Sequence, residues 1–387
     1  MESVRAYLAL SRRYNTKSGA DRASRLAVAK GASYPYLGPI KPHRSPKGPF
    51  VTSSPPAPPP VQGSSLPAQI AQMVRAGVHH HEHGRLREAE AIYKDALAAA
   101  PDHPALLHLA GLVAYQLGRA ADAVLLLERA VAGDRMVAAY HDNLGLALRA
   151  VGRVDEAAAA HRQAAVLDRS TPGPNFNLGA ALQSLGRHDD AVAAFRRALA
   201  IAPDYPEVHN AMAVSLAQSG KLDLAASHAR RALATRPGYA DAHLTLANIL
   251  ATEGQSAEAI AHYGEALRVD PTHGEATRGL AIAQLQAGDL DNAAATVAPA
   301  LNEGGADMLY IGAEIARRQG RLADAEALFR RSAAAEPRWL EPRLSLAAIL
   351  RARGETAEAR RAYDAILAAH PGHEEATRRL AEMDKPI

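Results

Sequence analysis

The chain has 387 residues, of which 48% are hydrophobic and only 4% aromatic, and it contains no cysteine. The lack of cysteine excludes disulfides, thiolate metal sites and a thiol nucleophile. Residues 1–68 hold ten of the 44 Lys and Arg residues but two of the 41 Asp and Glu residues. Because the basic excess lies in this segment, the rest of the chain is not suited to wrapping a phosphate backbone, and we expect it to bind no nucleic acid. The alanine-rich composition predicts an almost entirely helical protein.

The N-terminal segment, residues 1–68, is basic at first and then proline-rich, with eleven prolines in 35–67. Such a composition cannot build a core, so we predict a disordered tail that acts as a semi-extended linker. Its arginines leave an organelle transit peptide as an alternative. No apolar run reaches the length of a transmembrane helix, and we expect a cytoplasmic protein.

A repeat of 34 residues fills most of the remaining chain. Its glycines are followed, five residues later, by an alanine in every copy, and large and small side chains then alternate at helical spacing. A period of this length indicates stacked supersecondary units rather than one globule. The glycines are Gly84, Gly118, Gly152, Gly186, Gly220, Gly254, Gly288, Gly320 and Gly354, the step before Gly320 being two residues shorter.

Prolines close most of these units, for example Pro101, Pro203 and Pro237. With the glycine, small and aromatic positions in register, residues 70–373 resemble the tetratricopeptide repeat (TPR) family. The resemblance implies an all-α, right-handed superhelical solenoid of about nine helical hairpins. We expect a capping helix and tail at 374–387, after repeats at 70–103, 104–137, 138–171, 172–205, 206–239, 240–273, 274–305, 306–339 and 340–373.

The first helix of each unit has one face that points away from its own hairpin, and in TPR proteins that face lines a concave groove. Apolar side chains rimmed by amides and charges on it indicate a partner-binding surface. The alternative is that the bulky members contact the helices of the neighbouring repeat. The predicted groove residues are His108, Leu112, Tyr115, Asp142, Asn143, Leu146, Phe176, Asn177, Gln183, Asn210, Val214, Asn248, Arg278, Tyr310, Glu314 and Arg317.

Asn143 and Asn177 occupy the same place in adjacent repeats. Here the sequence resembles the asparagine ladder of O-GlcNAc transferase TPR arrays, which implies that amides hold a peptide backbone. We therefore predict a scaffold or adaptor that binds an extended segment of another protein, whose identity the sequence does not specify. The alternative is a substrate-presenting partner or relative of a glycosyltransferase or sulfotransferase, without the catalytic domain. The residues that grip chaperone C-termini in carboxylate-clamp TPR domains do not occur in any three consecutive units, so chaperone binding is disfavoured.

Two polar features are explained without a ligand, and we prefer these explanations. His79 and His83, one helical turn apart, lie in a histidine-rich tract without a second pair of ligands nearby, so we expect no metal site. Five consecutive units carry an acidic residue near the start of the first helix, from Glu207 to Glu341. These carboxylates could form a ladder for a basic ligand, but the helix macrodipole stabilises them at this position.

No phosphate loop, dinucleotide fingerprint or nucleophile motif occurs in the sequence. We expect no cofactor and no enzymatic activity. Pro299 falls inside a predicted second helix, and Gly304 and Gly305 follow where a proline stop is usual. We therefore expect a bend or hinge at this point.

Overall fold

The computed structural model describes residues 67–383. The predicted tail, up to residue 66, and residues 384–387 lie outside the described residues. Nineteen helices and no strand occur between 67 and 383. The helices are α1 Ala68–Glu82, α2 Leu86–Ala99, α3 Pro104–Gln116, α4 Ala120–Gly133, α5 Ala138–Ala150, α6 Val154–Leu167, α7 Gly173–Ser184, α8 His188–Ile201, α9 Pro206–Gln218, α10 Leu222–Thr235, α11 Ala240–Thr252, α12 Ser256–Val269, α13 Gly274–Ala287, α14 Leu290–Leu301, α15 Ala306–Arg318, α16 Leu322–Ala335, α17 Glu341–Ala352, α18 Thr356–Ala369 and α19 Glu374–Met383.

The helices form nine consecutive hairpins followed by α19, which confirms the predicted all-α repeat architecture. Contacts divide the described residues into two compact units that meet in sequence between Thr235 and Arg236. The first unit contains the five hairpins from α1 to α10, and the second contains the four hairpins from α11 to α18 together with α19.

Each hairpin turns at its repeat glycine, which has a positive φ of 71 to 83°. At the first of these turns, Gly84 N–H donates to the carbonyl of His81 over 3.0 Å, and Arg85 N–H donates to that of His80 over 2.9 Å. These bonds satisfy carbonyls that the end of α1 would otherwise leave open. Since the left-handed conformation strains a residue with a Cβ, the turn explains the glycine period.

Close packing within the hairpins explains the small residues. The alanine five residues after each turn glycine is fully buried in all nine hairpins, from Ala89 to Ala359. Glycines on the first helices pack against the large side chain of the second helix. A Cβ on Gly179 would lie 2.4 Å from the Phe195 ring, and one on Gly111 would lie 2.7 Å from Leu127.

The end of the second unit is covered by α19. Ala376 on this helix is fully buried, and it packs with Tyr363 and Ile366 of the last hairpin. The partly buried side chains of Leu380 and Met383 extend the same apolar contact. The helix therefore caps the ninth hairpin, as expected for the end of a repeat array.

The predicted irregularity lies at α14. Pro299 is inside this helix, which has 12 residues where the second helix of every other hairpin has 14. Gly304 follows with a φ of 76°. The Arg331 Nη2 atom, from α16, donates to the carbonyl of Leu301 over 2.8 Å. This bond gives the shortened helix a fixed C-terminal partner, so the shortened connection is held to α16 by a side chain.

Candidate interaction groove

A series of polar pairs joins the first helices of consecutive hairpins in the first unit. We call this series, His81/Gln116, His108/Asn143 and Asp142/Asn177, the polar ladder. The two members of every pair are 35 residues apart, one more than the repeat period. Each pair therefore links a position on one first helix to the next position along on the following first helix.

His108 on α3 and Asn143 on α5 form the middle pair. The Asn143 Nδ2 atom lies 2.7 Å from the His108 Nε2 atom. Burial, and to a smaller extent the nearby His81, lower the pKa of His108 to about 4. The imidazole is therefore neutral at neutral pH, so its Nε2 atom accepts the hydrogen bond from the Asn143 amide.

Asp142 on α5 is held from two directions. Its carboxylate accepts a hydrogen bond of 2.6 Å from the Nδ1 atom of His161 on α6. The Asn177 Nδ2 atom on α7 lies 3.2 Å from each of its oxygens. His161 is fully buried against Gly145, and its Nε2 atom has no hydrogen-bond partner among the described residues. The two donors fix the orientation of the carboxylate and of the Asn177 amide.

The ladder stops at α9 because apolar groups replace the polar ones. Phe176, beside Asn177, packs against Phe195 and Tyr205 with ring centroids 6.1 and 5.7 Å away. The residue 35 positions after Phe176 is Ala211, whose carbonyl instead lies 3.5 Å from the Gln183 Nε2 atom.

Predicted groove residues of the second unit also contact their own unit. The Tyr263 hydroxyl donates to Asn248 Oδ1 over 2.6 Å. Arg317 forms a 2.8 Å ion pair with Glu314, which raises the pKa of the guanidinium. Arg278 lies 3.8 Å from Asp307 on the next first helix. These charges are thus at least partly neutralised within the protein.

Burial separates the sixteen predicted groove residues into two groups. His108, Val214, Tyr310 and Glu314 are buried, so their side chains contact neighbouring helices, which is the alternative considered for bulky groove positions. Tyr310, for example, packs against Phe329 and Trp339. The other twelve are half-buried, which leaves part of each side chain accessible.

The row of acidic residues also has partners within the protein. Asp241 lies 3.4 Å from His273 Nε2 and raises the pKa of that imidazole. Asp307 faces Arg278, and Glu207 and Glu341 are buried. These contacts favour the structural role of the row over the recognition of a basic ligand.

The histidine-rich end of α1 is likewise occupied by local contacts. The His83 Nδ1 atom lies 2.7 Å from the His79 carbonyl, and Arg85 donates to His80 over 2.9 Å. Between residues 67 and 383, no group of three or more potential ligands could hold a metal ion.

Sequence reasoning missed the polar ladder because it compared residues at equal places in successive repeats. The pairs join unequal places, so their signal is a spacing of 35 rather than 34. Complementary polar residues at that spacing include His81/Gln116, His108/Asn143 and Asp142/Asn177.

Solved structures of known proteins share the helical repeat fold of this chain. No curated protein matches the chain. The solved structure of PilW, a widely conserved type IV pilus biogenesis factor, is similar with a TM-score of 0.50 and 19% identity, over 55% of this chain and 98% of PilW. PilF of Pseudomonas aeruginosa gives 0.48 and 18%, over 54% and 94%, and YrrB, a TPR protein with an unusual peptide-binding site, gives 0.41 and 19%, over 48% and 95%. At these identities the likeness to PilW concerns the fold alone.

None of the helices between residues 67 and 383 combines the length and the apolar character that crossing a membrane requires.

Models of the tetratricopeptide repeat match residues 80–145, 135–204, 175–238, 216–261, 250–311 and 340–383. These matches span well over half of the chain, and they coincide with the helical hairpins, the positive-φ glycines and the buried alanines. The chain therefore belongs to the tetratricopeptide repeat family.

Proposed function

We propose that the protein is a non-enzymatic interaction scaffold that binds an extended segment of a partner protein along α3, α5 and α7. The observation that carries the proposal is the hydrogen bonding of the two ladder amides, Asn143 and Asn177. Asn143 and Asn177 each commit Nδ2 to a partner within the protein, whereas neither Oδ1 has a partner among the described residues. Both residues are half-buried.

This arrangement leaves two fixed acceptors on neighbouring helices. A peptide in extended conformation presents backbone N–H groups to both sides. If neighbouring first helices lie about 8–10 Å apart, and the peptide rises about 3.3 Å per residue, the two acceptors are separated by roughly two to four residues of the peptide. N–H groups on one side of the peptide recur every second residue, so both acceptors can bind N–H groups of that side. Because the internal bonds fix each amide, binding requires little further ordering of these side chains.

Apolar side chains on the same helices provide the remaining contact. Leu112, Tyr115 and Leu146 are half-buried at predicted groove places beside the ladder. They offer area that a partner's apolar side chains can cover. The predicted charged groove residues of the second unit pair within that unit, so we limit the proposed surface to the first.

The test is a selection from a random-peptide display library on the full chain, followed by affinity measurements on the selected peptides. Two lost hydrogen bonds, at about 0.5–1.5 kcal/mol each, should weaken binding roughly 5- to 150-fold in Asn143→Ala/Asn177→Ala. Asn248→Ala is the matched control, because Asn248 is also half-buried and hydrogen-bonded on a first helix but lies in the second unit.

Unchanged affinity in a double variant that retains its helical circular dichroism would refute the proposed surface. Equal weakening by Asn248→Ala would place the contact elsewhere. The substrate-presenting alternative stays a prediction, since no contact among the described residues distinguishes it from a general scaffold.

A further inference from the structure

Two histidine pairs join the helices of the hairpins α9–α10 and α11–α12. The Nδ1 atoms of His209 and His228 lie 2.9 Å apart, and those of His243 and His262 lie 3.0 Å apart. In both pairs the residues are 19 positions apart, and the second pair follows the first by 34 positions. The ring centroids are 5.2 and 5.3 Å apart. The same geometry thus occurs twice, once in each unit.

The other ring nitrogen of each first-helix histidine is occupied by a backbone carbonyl. His209 Nε2 lies 2.8 Å from the carbonyl of Pro203, and His243 Nε2 lies 2.9 Å from that of Pro237. A carbonyl only accepts, so each Nε2 atom carries a hydrogen. In the neutral imidazole the Nδ1 atom is then the acceptor, and the Nδ1–H group of the partner histidine must donate to it.

This assignment limits how many protons a pair can hold. One additional proton can reside on either ring, because one Nδ1 atom still accepts from the other. A second would place two N–H donors and two positive charges face to face about 3 Å apart, with His209 and His243 buried. In the unfolded chain both histidines are free to take up a proton near the ordinary pKa of about 6.5.

The charged surroundings of the two pairs differ. Burial is the main cause that lowers the pKa of His228 to about 4. His209 and the positive charges of Arg231 on α10 and Arg196 on α8 lower it further. Around the second pair, the carboxylate of Glu265 on α12 interacts with both His243 and His262, and Arg268 holds it at 2.8 Å. Positive charge therefore acts on the first pair and negative charge on the second.

We propose that the two histidine pairs make the hairpins α9–α10 and α11–α12 an acid-sensitive segment of the repeat array, in which each pair excludes one of the two protons that the unfolded hairpin takes up. When the folded state binds fewer protons than the unfolded state, stability falls as the pH falls. For one excluded proton, the opening equilibrium of a hairpin rises roughly 10- to 30-fold between about pH 7 and pH 5. The effect is larger in α9–α10 because Arg231 on α10 and Arg196 on α8 act on His228.

The experiment is hydrogen exchange of the full chain, followed by mass spectrometry across this pH range. The hairpin α15–α16 is an internal reference because it contains no histidine. In this hairpin the two facing residues that are 19 positions apart are Tyr310 and Phe329. We expect the protection of α9–α12 to fall roughly 10- to 30-fold relative to α15–α16. A constant protection ratio between the two regions would overturn the proposal.

The variant His228→Asn/His262→Asn tests the cause. The Asn amide places a nitrogen or an oxygen near the former Nδ1 position and can turn to donate or to accept, so it tolerates a charged partner. This variant should lose the pH dependence. His161→Asn, in which the replaced Nδ1 atom faces the carboxylate of Asp142, is the matched control and should keep it. A double variant with the wild-type pH profile would contradict the proposal.

If the double variant does not fold, a titration of the wild-type histidines by ¹⁵N nuclear magnetic resonance tests whether each pair excludes one proton. We expect only one imidazole of each pair to become charged while the hairpin remains folded. Two charged imidazoles in a folded hairpin would exclude the mechanism.

Discussion

The Asn177 Nδ2 atom on α7 lies 3.2 Å from both carboxylate oxygens of Asp142 on α5, 35 residues earlier in the chain. The same carboxylate accepts a hydrogen bond from the fully buried His161 on α6. One side chain thus joins three helices from two consecutive hairpins. Stability and the proposed binding surface therefore depend on the same residue.

We predict that Asp142→Ala destabilises the protein by about 1–3 kcal/mol, since it leaves His161 and Asn177 without their acceptor. Urea denaturation measures the loss. Asp95→Ala, at an exposed position within α2, is the comparison and should change stability by less than about 0.5 kcal/mol. Equal effects in the two variants would show that the bonds to Asp142 contribute no net stability.

Two glycine substitutions should change the free energy of unfolding in opposite directions. A Cβ at Gly179 would lie 2.4 Å from the buried Phe195 ring, so Gly179→Ala should destabilise by about 1–3 kcal/mol through overpacking. Gly264 on α12 has open space around it, and Gly264→Ala should stabilise by about 0.5–1 kcal/mol because alanine loses less backbone entropy. Thermal unfolding of both variants checks the signs, and a stabilising Gly179→Ala would contradict the close packing.

His108 should make stability pH-dependent. Its pKa is about 4 in the folded protein against an ordinary value of 6.5, so the folded state binds fewer protons between these values. The contribution of the neutral His108 to the free energy of unfolding is fully present above about pH 6.5. It is lost as the pH falls towards 4, and the total loss reaches about 3 kcal/mol. His108→Gln should show a smaller change in urea midpoint over this range. His370→Gln, at an exposed position, should retain the wild-type change.

The connection after α14 should exchange amide hydrogens faster than α8. Pro299 removes one hydrogen bond of α14, and two glycines follow the helix. We expect exchange across 296–306 to be at least tenfold faster than in α8, and Pro299→Ala to slow it. Pro337→Ala, outside the helices, is the control. Exchange as slow as in α8 would mean that contacts such as Arg331 with the Leu301 carbonyl make the connection rigid.

Much of the fold follows from local rules that the sequence displays. A glycine every 34 residues specifies a left-handed turn, and the alanine five positions later specifies a close helix contact. Both requirements act within one hairpin, where the helical period alone decides which side chains meet. The hairpins and the packing inside each of them were therefore predictable.

The properties of the candidate groove depend on contacts between hairpins. The helical period placed Asn143 and Asn177 on one face, but it did not indicate that His108 and Asp142 occupy their Nδ2 atoms. Nor did it distinguish half-buried Leu112 from buried Val214, since burial depends on how the next hairpin stacks.

The amino-acid sequence by itself thus determined the repeat, the helices and the side chains that face each other within a hairpin, because these depend on contacts close in the chain. Only the tertiary structure decided which polar groups pair between hairpins, which groove side chains stay accessible, and through which ring atoms the facing histidines meet. Such contacts depend on shifts of a few ångströms between helices, which the 34-residue period alone does not specify.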